Sequence, residues 1–444
     1  MTETLSPTTL EPAPLERTHT VRASVEVASP GLNEVSEIAS GIAALEVPQR
    51  RKVEVAPSSA DEMAAIAEKA GIRRVHFLAW RDLGDPEAGG SEMHAHMVAK
   101  QWAAAGIEVT FRTSTVSGAP QAITRGGYRV LRRAGRYAVF PSAAWEGIRR
   151  GHRPGDALIE IWNGVPFLSP LWYRGPRLVF LHHVHAEMWG MVLPPVLARA
   201  GHVLEHHAAP PLYRKSRVVT LSESSRTEIV DMLRLPREHV SVVPPGIDVR
   251  FSPGSRRSGP PMVVAVGRLA PVKRFDILLR ALALAKVSLP ELQAVVIGEG
   301  DERPALEALR AELDATDWVH LPGRVGDEEL VSWYRKAWVV ASTSRREGWG
   351  MTLTEAAACG TPAVATAIAG HTDAVLDGES GVLVDRHGPD GIGDFATALT
   401  RVLTDDVLRA RLSKGALASA GGYTWDVTAR RVLEVLAEET SGRF

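Results

Sequence analysis

The stretch "WVVASTSRREGWGMTLTEAAACGTPAVAT", residues 338–366, decides the fold class. It opens with an apolar run of strand length, and after a glycine-containing loop a helical run extends from about Gly350 to Gly360. Glycine often ends a helix, and Pro362 cannot continue one. A second apolar run, "PAVAT", follows at once. A buried strand, a helix and another buried strand are typical of a parallel sheet covered on both faces.

The same alternation continues on either side of this unit. "RRVHFLAW", "IEVTFRT", "DALIEIW", "RLVFLH" and "SRVVTLS" form one set of predicted strands, and "MVVAVGRL" starts a second set. Proline- and glycine-rich sequence separates the two sets. We therefore predict an α/β protein with two doubly wound domains, whose default ligand site is the cleft at the carboxyl ends of the strands. The predicted segments are a disordered tail over 1–55, a first domain over 56–245, a linker over 246–260, a second domain over 261–422 and a final helix over 423–444.

Composition narrows the function classes. The chain has 444 residues, 45% of them hydrophobic and 23% charged, and its net charge is −1. This balance argues against nucleic acid as a partner. The single cysteine, Cys359, excludes an intrachain disulfide and fits a reducing compartment. We expect neither a signal peptide nor a membrane-spanning helix, and a cytoplasmic location, either free or peripheral at the inner face of the membrane.

Two cations follow the first strand of the second domain. In "VVAVGRLAPVKRFD" the strand ends at Gly267, and Arg268 and Lys273 share the next loop. A guanidinium and an ammonium at this position suit a diphosphate, although both could be solvated surface cations. Gly298 and Gly300 follow the next strand in "VVIGEGDE". A lone G-x-G pattern fits a phosphate-binding turn or simply a tight strand–helix turn.

Two glutamates bracket the helix start in residues 346–355. Glu347 lies in the loop before the helix and Glu355 lies about one and a half turns inside it. The free backbone N–H groups at Trp349, Gly350 and Met351 could hold an anion. A carboxylate beside them can accept hydrogen bonds from the adjacent hydroxyls of a sugar or a ribose. The alternatives are a helix-dipole partner for Glu347 and a buried cap or surface residue for Glu355.

These motifs together resemble those of the family 4 retaining glycosyltransferases. "REGWGMTLTEAAACGTPAVAT" is similar to their E-x7-E motif, and "GRLAPVKRFD" is similar to their Gly-Arg-Leu…Lys loop. "VVPPGID", "LPGRVGDEELVSWYRKAWVVAS" and "YTWDVTARRVLEVL" resemble further segments in the same order. The resemblance implies the GT-B fold, with two Rossmann-like domains facing each other across a cleft and a terminal helix that crosses back onto the first.

The resemblance also implies roles for the residues of the second domain. Arg268 and Lys273 would bind the donor diphosphate and stabilise the leaving nucleotide. Glu347 would contact the donor sugar, and Glu355 would bind the ribose hydroxyls. Further donor contacts are expected from Gly267, Gly298, Gly348, Trp349, Gly350 and Met351, with the base held at Arg324 and Val325.

In the first domain, "DPEAGGSEMHAH" resembles the glycine-rich loop that covers the donor phosphates, with contacts at Gly89 and Gly90. The alternative is a plain helix start with Ser91 as its N-cap. "RLVFLHHVHAEMW" ends a strand in closely spaced histidines, a pattern that could also suggest a metal site. The resemblance instead implies a histidine near the reacting carbon. His182 aligns best with that family histidine, and His183 aligns next best.

The implied activity is transfer of a hexose-type sugar from a nucleotide-diphosphate sugar to a glycan, lipid-linked or small-molecule acceptor. Retention of configuration, a front-face mechanism, and no metal or other cofactor are expected. Other open functions are a different GT-B enzyme, such as a nucleotide-sugar epimerase, and a nicotinamide-dependent oxidoreductase. The segment "IAGHTDAVLDGESG" departs from the family's Gly-Gly…Glu pattern, with His371 and Asp373 in it, and this leaves the sugar specificity open.

Overall fold

The computed structural model describes residues 58–254, 259–385 and 391–442. Its first sheet has eight strands in the order β3-β4-β2-β1-β5-β6-β7-β8, and neighbours are parallel except for the antiparallel β3–β4 pair. The strands are β1 Arg74–Leu78, β2 Glu108–Thr113, β3 Ala122–Arg125, β4 Tyr128–Arg132, β5 Asp156–Ile161, β6 Arg177–Phe180, β7 Arg217–Thr220 and β8 Val240–Val242.

The second sheet has six strands in the order β11-β10-β9-β12-β13-β14, with every neighbouring pair parallel. Two buried apolar clusters pack on its faces, so both sides are covered as the continuous apolar runs predict. The strands are β9 Met262–Val266, β10 Gln293–Ile297, β11 Val319–Gly323, β12 Val339–Ser342, β13 Ala363–Thr366 and β14 Gly381–Val384.

Helices connect the parallel strands and cover the sheets. Those that precede β9 are α1 Ser59–Lys69, α2 Gly90–Ala104, α3 Val139–Arg150, α4 Met188–Val192, α5 Pro195–Val203, α6 Pro210–Tyr213 and α7 Glu223–Leu233. A π-helical turn, Leu204–Ala208, lies between α5 and α6. Those that follow β9 are α8 Phe275–Ser288, α9 Arg303–Glu312, α10 Asp327–Lys336, α11 Met351–Ala358, α12 His371–Ala374, α13 Ile392–Thr404, α14 Asp406–Ala420 and α15 Trp425–Ser441.

The β3–β4 hairpin is the main element that the sequence pattern did not predict. Gly126 and Gly127 join its strands with φ values of 53° and 86°. Positive φ at both turn residues suits a tight hairpin turn, and glycine adopts it without steric cost. The hairpin forms the edge of the first sheet, where it leaves the parallel core undisturbed.

The last helix, α15, crosses back onto the first sheet, and this part of the predicted fold is confirmed. Ala429, Val432, Leu433 and Leu436 are buried in the apolar cluster of that sheet. The indole N–H of Trp102 on α2 donates to the carbonyl of Ala429 over 3.0 Å. Burial of this apolar face fixes the C-terminal segment against the first sheet.

The predicted tail over 1–55 lies outside the described residues, as does part of the predicted linker. Among the described helices, none is long and apolar enough to cross a membrane.

Candidate functional site

A cavity of about 290 Å³ lies between the two sheets, where β1, β6, β9 and β12 end. Strand carboxyl ends are where ligands bind in such folds. The cavity brings together most of the predicted site residues: Gly89, Gly90, His182, His183, Gly267, Arg268, Lys273, Glu347, Gly348, Trp349, Gly350 and Met351.

An ion pair between Lys273 and Glu347 lines this cavity. Lys273 Nζ donates to Glu347 Oε1, which also accepts from the Ser344 hydroxyl at 2.9 Å. Burial opposes ionisation of Glu347, yet the Lys273 ammonium, the nearby His371 and these hydrogen bonds together hold its pKa below the usual value. Glu347 is therefore an ionised acceptor at neutral pH and a poor proton donor.

Arg268 also lines the cavity and contacts the loop of the first half that contains Glu87. Its Nη1 donates to the carbonyl of Glu87 over 3.2 Å, and burial lowers its pKa. The side-chain carboxylate of Glu87 is held by Arg136, whose hydrogen bonds lower the Glu87 pKa. Arg81 donates to the Glu87 carbonyl at 3.0 Å. These contacts hold the loop before Gly89 over the cavity.

Helix α2 begins directly after that loop, at Gly90. The Glu92 carboxylate accepts from the Gly89 N–H at 2.9 Å, so Glu92 caps this helix. Ser91 lies within the first turn, and its predicted alternative role as the N-cap is wrong. A Cβ on Gly90 would lie 3.5 Å from Met351 Sδ, which places the glycine loop against the start of α11.

Two glycines of the 346–351 loop are needed for close approach. A Cβ on Gly348 would lie 2.6 Å from the carbonyl oxygen of His182, and the Ser225 hydroxyl donates to the Gly348 carbonyl. Gly350 has a φ of 107° and packs against the His371 ring. Since His182 and Ser225 belong to the first sheet's half, this loop closes the cleft.

The histidines after β6 differ in their surroundings. His182 Nε2 and His94 Nδ1 on α2 lie 3.1 Å apart, so one nitrogen donates to the other. His183 Nε2 is buried with no hydrogen-bond partner among the described residues. Burial lowers the pKa of His183 to about 3 and that of His182 well below its usual value, so both rings are neutral. His183 therefore keeps a ring nitrogen for a ligand, whereas the Nε2 of His182 is already engaged.

Glu355 lies on α11, whose first residue, Met351, lines the cavity, but Glu355 itself is not among the cavity-lining residues. The Tyr334 hydroxyl on α10 donates to Glu355 Oε2 over 3.1 Å. Burial raises the pKa of Glu355 to about 7, because the hydrogen bond from Tyr334 offsets only part of the desolvation. Tyr334 was not predicted as a site residue, since nothing in the sequence near it indicates a contact with Glu355.

Gly298, Arg324 and Val325 are not among the cavity-lining residues. Gly298 has a φ of 147°, and a Cβ there would lie 1.9 Å from the Gly267 carbonyl oxygen. Close packing against Gly267 therefore requires glycine at this position. Arg324 donates to the carbonyl of Pro86. Their donor contacts remain predictions.

Asp373, in the segment that departs from the family pattern, caps a helix of the opposite half. Its carboxylate accepts from the backbone N–H of Glu223 at 2.8 Å and from that of Ser224 at 3.3 Å, at the start of α7. The Ser224 hydroxyl also donates to Asp373 and accepts from the Gly370 N–H at 2.8 Å. Asp373 therefore joins the two halves of the cleft.

Replacement of Asp373 by alanine is expected to cost about 1 kcal/mol of unfolding free energy, because it leaves two helix N–H groups unpaired. It should also raise the KM for the donor that the family resemblance implies, since it weakens the closed cleft. Asp405 is the matched control: it caps α14 within its own half by accepting from Leu408 N at 2.8 Å. D405A should lose similar stability in urea unfolding but keep the wild-type KM. Equal KM values for the two variants would contradict the role in closure.

Comparison with known proteins identifies the family of the chain. Residues 249–418 match the family model described as glycosyl transferases group 1, and residues 88–251 match the one described as Glycosyltransferase Family 4. A D-inositol 3-phosphate glycosyltransferase from Xylanimonas cellulosilytica is 32% identical over 425 residues, covering 84% of this chain and 98% of the relative. The chain belongs to the family 4 glycosyltransferases. A second D-inositol 3-phosphate glycosyltransferase, from Stackebrandtia nassauensis, is 33% identical over 430 residues, covering 85% of this chain and 94% of the relative.

Solved structures show that the GT-B fold is shared. Sucrose-phosphate synthase from Thermosynechococcus elongatus gives a TM-score of 0.67 at 20% identity, covering 81% of this chain and 97% of that one. Anabaena HepE, solved with UDP and glucose, gives a TM-score of 0.65 at 19% identity, covering 82% of this chain and 100% of that one. This family 4 glycosyltransferase thus catalyses transfer of a sugar from a nucleotide-sugar donor.

Proposed function

We propose that this family 4 glycosyltransferase moves a hexose-type sugar from a nucleotide-diphosphate sugar to an acceptor hydroxyl, with retention of configuration and without a metal or other cofactor. The observation that carries the proposal is the Lys273–Glu347 pair beside Arg268 at the start of α11. Lys273 and Arg268 are two cations that can bind a diphosphate, and backbone N–H groups at the helix start can bind an anion.

A front-face substitution fits these residues. The acceptor hydroxyl attacks the anomeric carbon, the bond from that carbon to the leaving phosphate breaks, and a phosphate oxygen takes the acceptor proton. Arg268 and Lys273 stabilise the charge that develops on the leaving diphosphate. Glu347 is ion-paired with Lys273, which suits a role in holding sugar hydroxyls better than one in proton transfer.

His183 is the better placed of the two predicted histidines. Its neutral ring has an unpartnered Nε2 in the wall of the cavity that Glu347 also lines. We assign it the orientation of the donor sugar or the attacking hydroxyl. His182, bonded to His94, is then a positioning residue behind it.

The acceptor occupies the first-sheet side of the cavity, near Asn163, His185 and Met188. It is a glycan, a lipid-linked sugar or a small polyol, and D-inositol 3-phosphate, named in the relatives above, is the first small acceptor to test. We also propose a cytoplasmic location with peripheral attachment to the membrane.

The test is to identify the donor by thermal shift with a panel of nucleotide-sugars and then to follow product formation by NMR. The proposal expects a product with the donor's anomeric configuration and a rate that excess EDTA leaves unchanged. An inverted product would refute the front-face mechanism, and loss of activity in EDTA would refute metal independence. Turnover of the donor to an epimer without acceptor would favour the epimerase alternative.

Donor affinity should depend on pH through Glu355. Its pKa of about 7 means that near neutral pH a large part of the free enzyme is protonated there. Because two ribose hydroxyls need an ionised acceptor, donor binding must first remove that proton at low pH. The donor dissociation constant should therefore fall as pH rises from about 6 to about 8 and then level off. Calorimetric titration should show this dependence in the wild type and its absence in E355Q.

A further inference from the structure

A second cavity, of about 50 Å³, lies between helix α3 and the first sheet. On the sheet side, Thr110, His76 and Leu158 line it from one row of the neighbouring strands β2, β1 and β5, where they are paired in register. None of the described residues lines both this cavity and the catalytic one. A ligand here would therefore occupy a site of its own.

The inner part of this cavity is apolar. Leu78, Leu131 and Leu158 are at most 6% exposed, and Ala143 on α3 is 3% exposed. These side chains offer no hydrogen-bond partner, whereas an ordered buried water needs two to four. At the space that one water requires, the volume takes about four water-sized groups. The inner part suits a short hydrocarbon chain better than it suits water.

The mouth of the cavity is polar and carries a positive charge that is not compensated. Both lining carboxylates are already paired, since Glu146 accepts from Arg112 at 3.2 Å. Asp156 likewise accepts from Arg74. Arg150, an exposed lining residue at the end of α3, has no carboxylate partner among the described residues. The mouth therefore suits a ligand with one negative charge.

His76 adds a polar atom without a partner to the same cavity. Its Nδ1 is buried and has no hydrogen-bond partner among the residues that the structure describes. Burial and the Arg150 guanidinium lower the pKa of His76, so its ring is neutral. A buried polar atom without a partner is unfavourable, and a ligand oxygen would satisfy an N–H at this position.

We infer that this cavity binds a small organic monocarboxylate with a short hydrocarbon chain. The carboxylate pairs with the Arg150 guanidinium, whose planar fork matches its two oxygens, and it accepts from His76 Nδ1. The chain enters the space among the leucines, where it buries apolar surface. This site goes beyond the proposed function and does not depend on it, because the two cavities have no lining residue in common.

A ligand-observed NMR titration of the full chain with butyrate tests the inference. Butyrate should bind about tenfold more tightly than acetate, because its two additional methylene groups enter the apolar part of the cavity. 1-Aminobutane has a chain of the same length with the opposite charge and should not bind. The donor identified by thermal shift should leave the butyrate dissociation constant unchanged. Absence of butyrate binding, equal binding of 1-aminobutane, or displacement of butyrate by the donor would each overturn the inference.

A matched pair of arginine variants identifies the site. R150Q should bind butyrate about tenfold more weakly, because it loses a charge-assisted hydrogen bond to the carboxylate. R149Q removes a neighbouring charge from the same last turn of α3, but Arg149 lies over the Trp145 ring at 4.7 Å and does not line the cavity. It should bind butyrate like the wild type, and both variants should have equal stability in urea. Equal loss of butyrate affinity in the two variants would mean unspecific attraction to basic residues, and the assignment would be wrong.

Discussion

Replacement of Lys273 by alanine is expected to lower kcat by about 10²–10³-fold, an effect typical of losing one preorganised charge at a transition state. In the proposed mechanism the ammonium faces the place where the leaving diphosphate gains charge. Its loss also leaves the Glu347 carboxylate without its main cationic partner, since Lys273 is the strongest influence that lowers the pKa of Glu347 against burial. Steady-state kinetics with a saturating donor measure this change.

Lys414 supplies the control, because it is an exposed lysine on α14 that does not line the cavity. K414A should retain the wild-type rate and stability. K273R should recover only part of the activity, since a guanidinium delivers a positive charge but not the compact geometry of an ammonium. A K273A enzyme with full kcat would mean that the leaving group is stabilised elsewhere, and the role of the Lys273–Glu347 pair would then be wrong.

The sequence could predict the residues whose position follows from the fold alone. Arg268 comes after β9 and Glu347 after β12, and parallel strands place such loops at one edge of the sheet. The motif order then identified the family, which the comparisons confirm. Helix α11 starts at Met351 as the glycines before it predict.

What could not be predicted depends on contacts between distant elements. The contact of His94 with His182 joins residues 88 positions apart, and that of Asp373 with Glu223 joins residues 150 apart. Neither contact leaves a local pattern in the sequence. Packing of α2 near the end of β6 creates the first contact, and closing of the cleft creates the second. The β3–β4 hairpin did have a local signal in its paired glycines, but its strands lack a clear apolar alternation.

Gly348→Ala should be nearly as damaging as the loss of Lys273, although it removes no chemical group. The new methyl would lie 2.6 Å from the His182 carbonyl oxygen, and neither backbone can yield without moving the two halves apart. A displacement on the order of 1 Å at a reacting centre costs about 10²-fold in rate. The cleft would then not close. Closure brings His183 close to Glu347 and forms the hydrogen bond from Ser225 to the Gly348 carbonyl.

The variant separates closure from donor binding. Lys273, Glu355 and the start of α11 all belong to the half built on the second sheet, so G348A should bind a free nucleoside diphosphate with nearly wild-type affinity in calorimetry. Gly393 provides the control, because a Cβ there would meet open space, and G393A should keep its full rate. If G348A lost nucleotide affinity and rate together, the methyl would be disturbing the loop itself. Loss of rate alone would show that the cleft must close at His182 for transfer to occur, since the donor site would be intact.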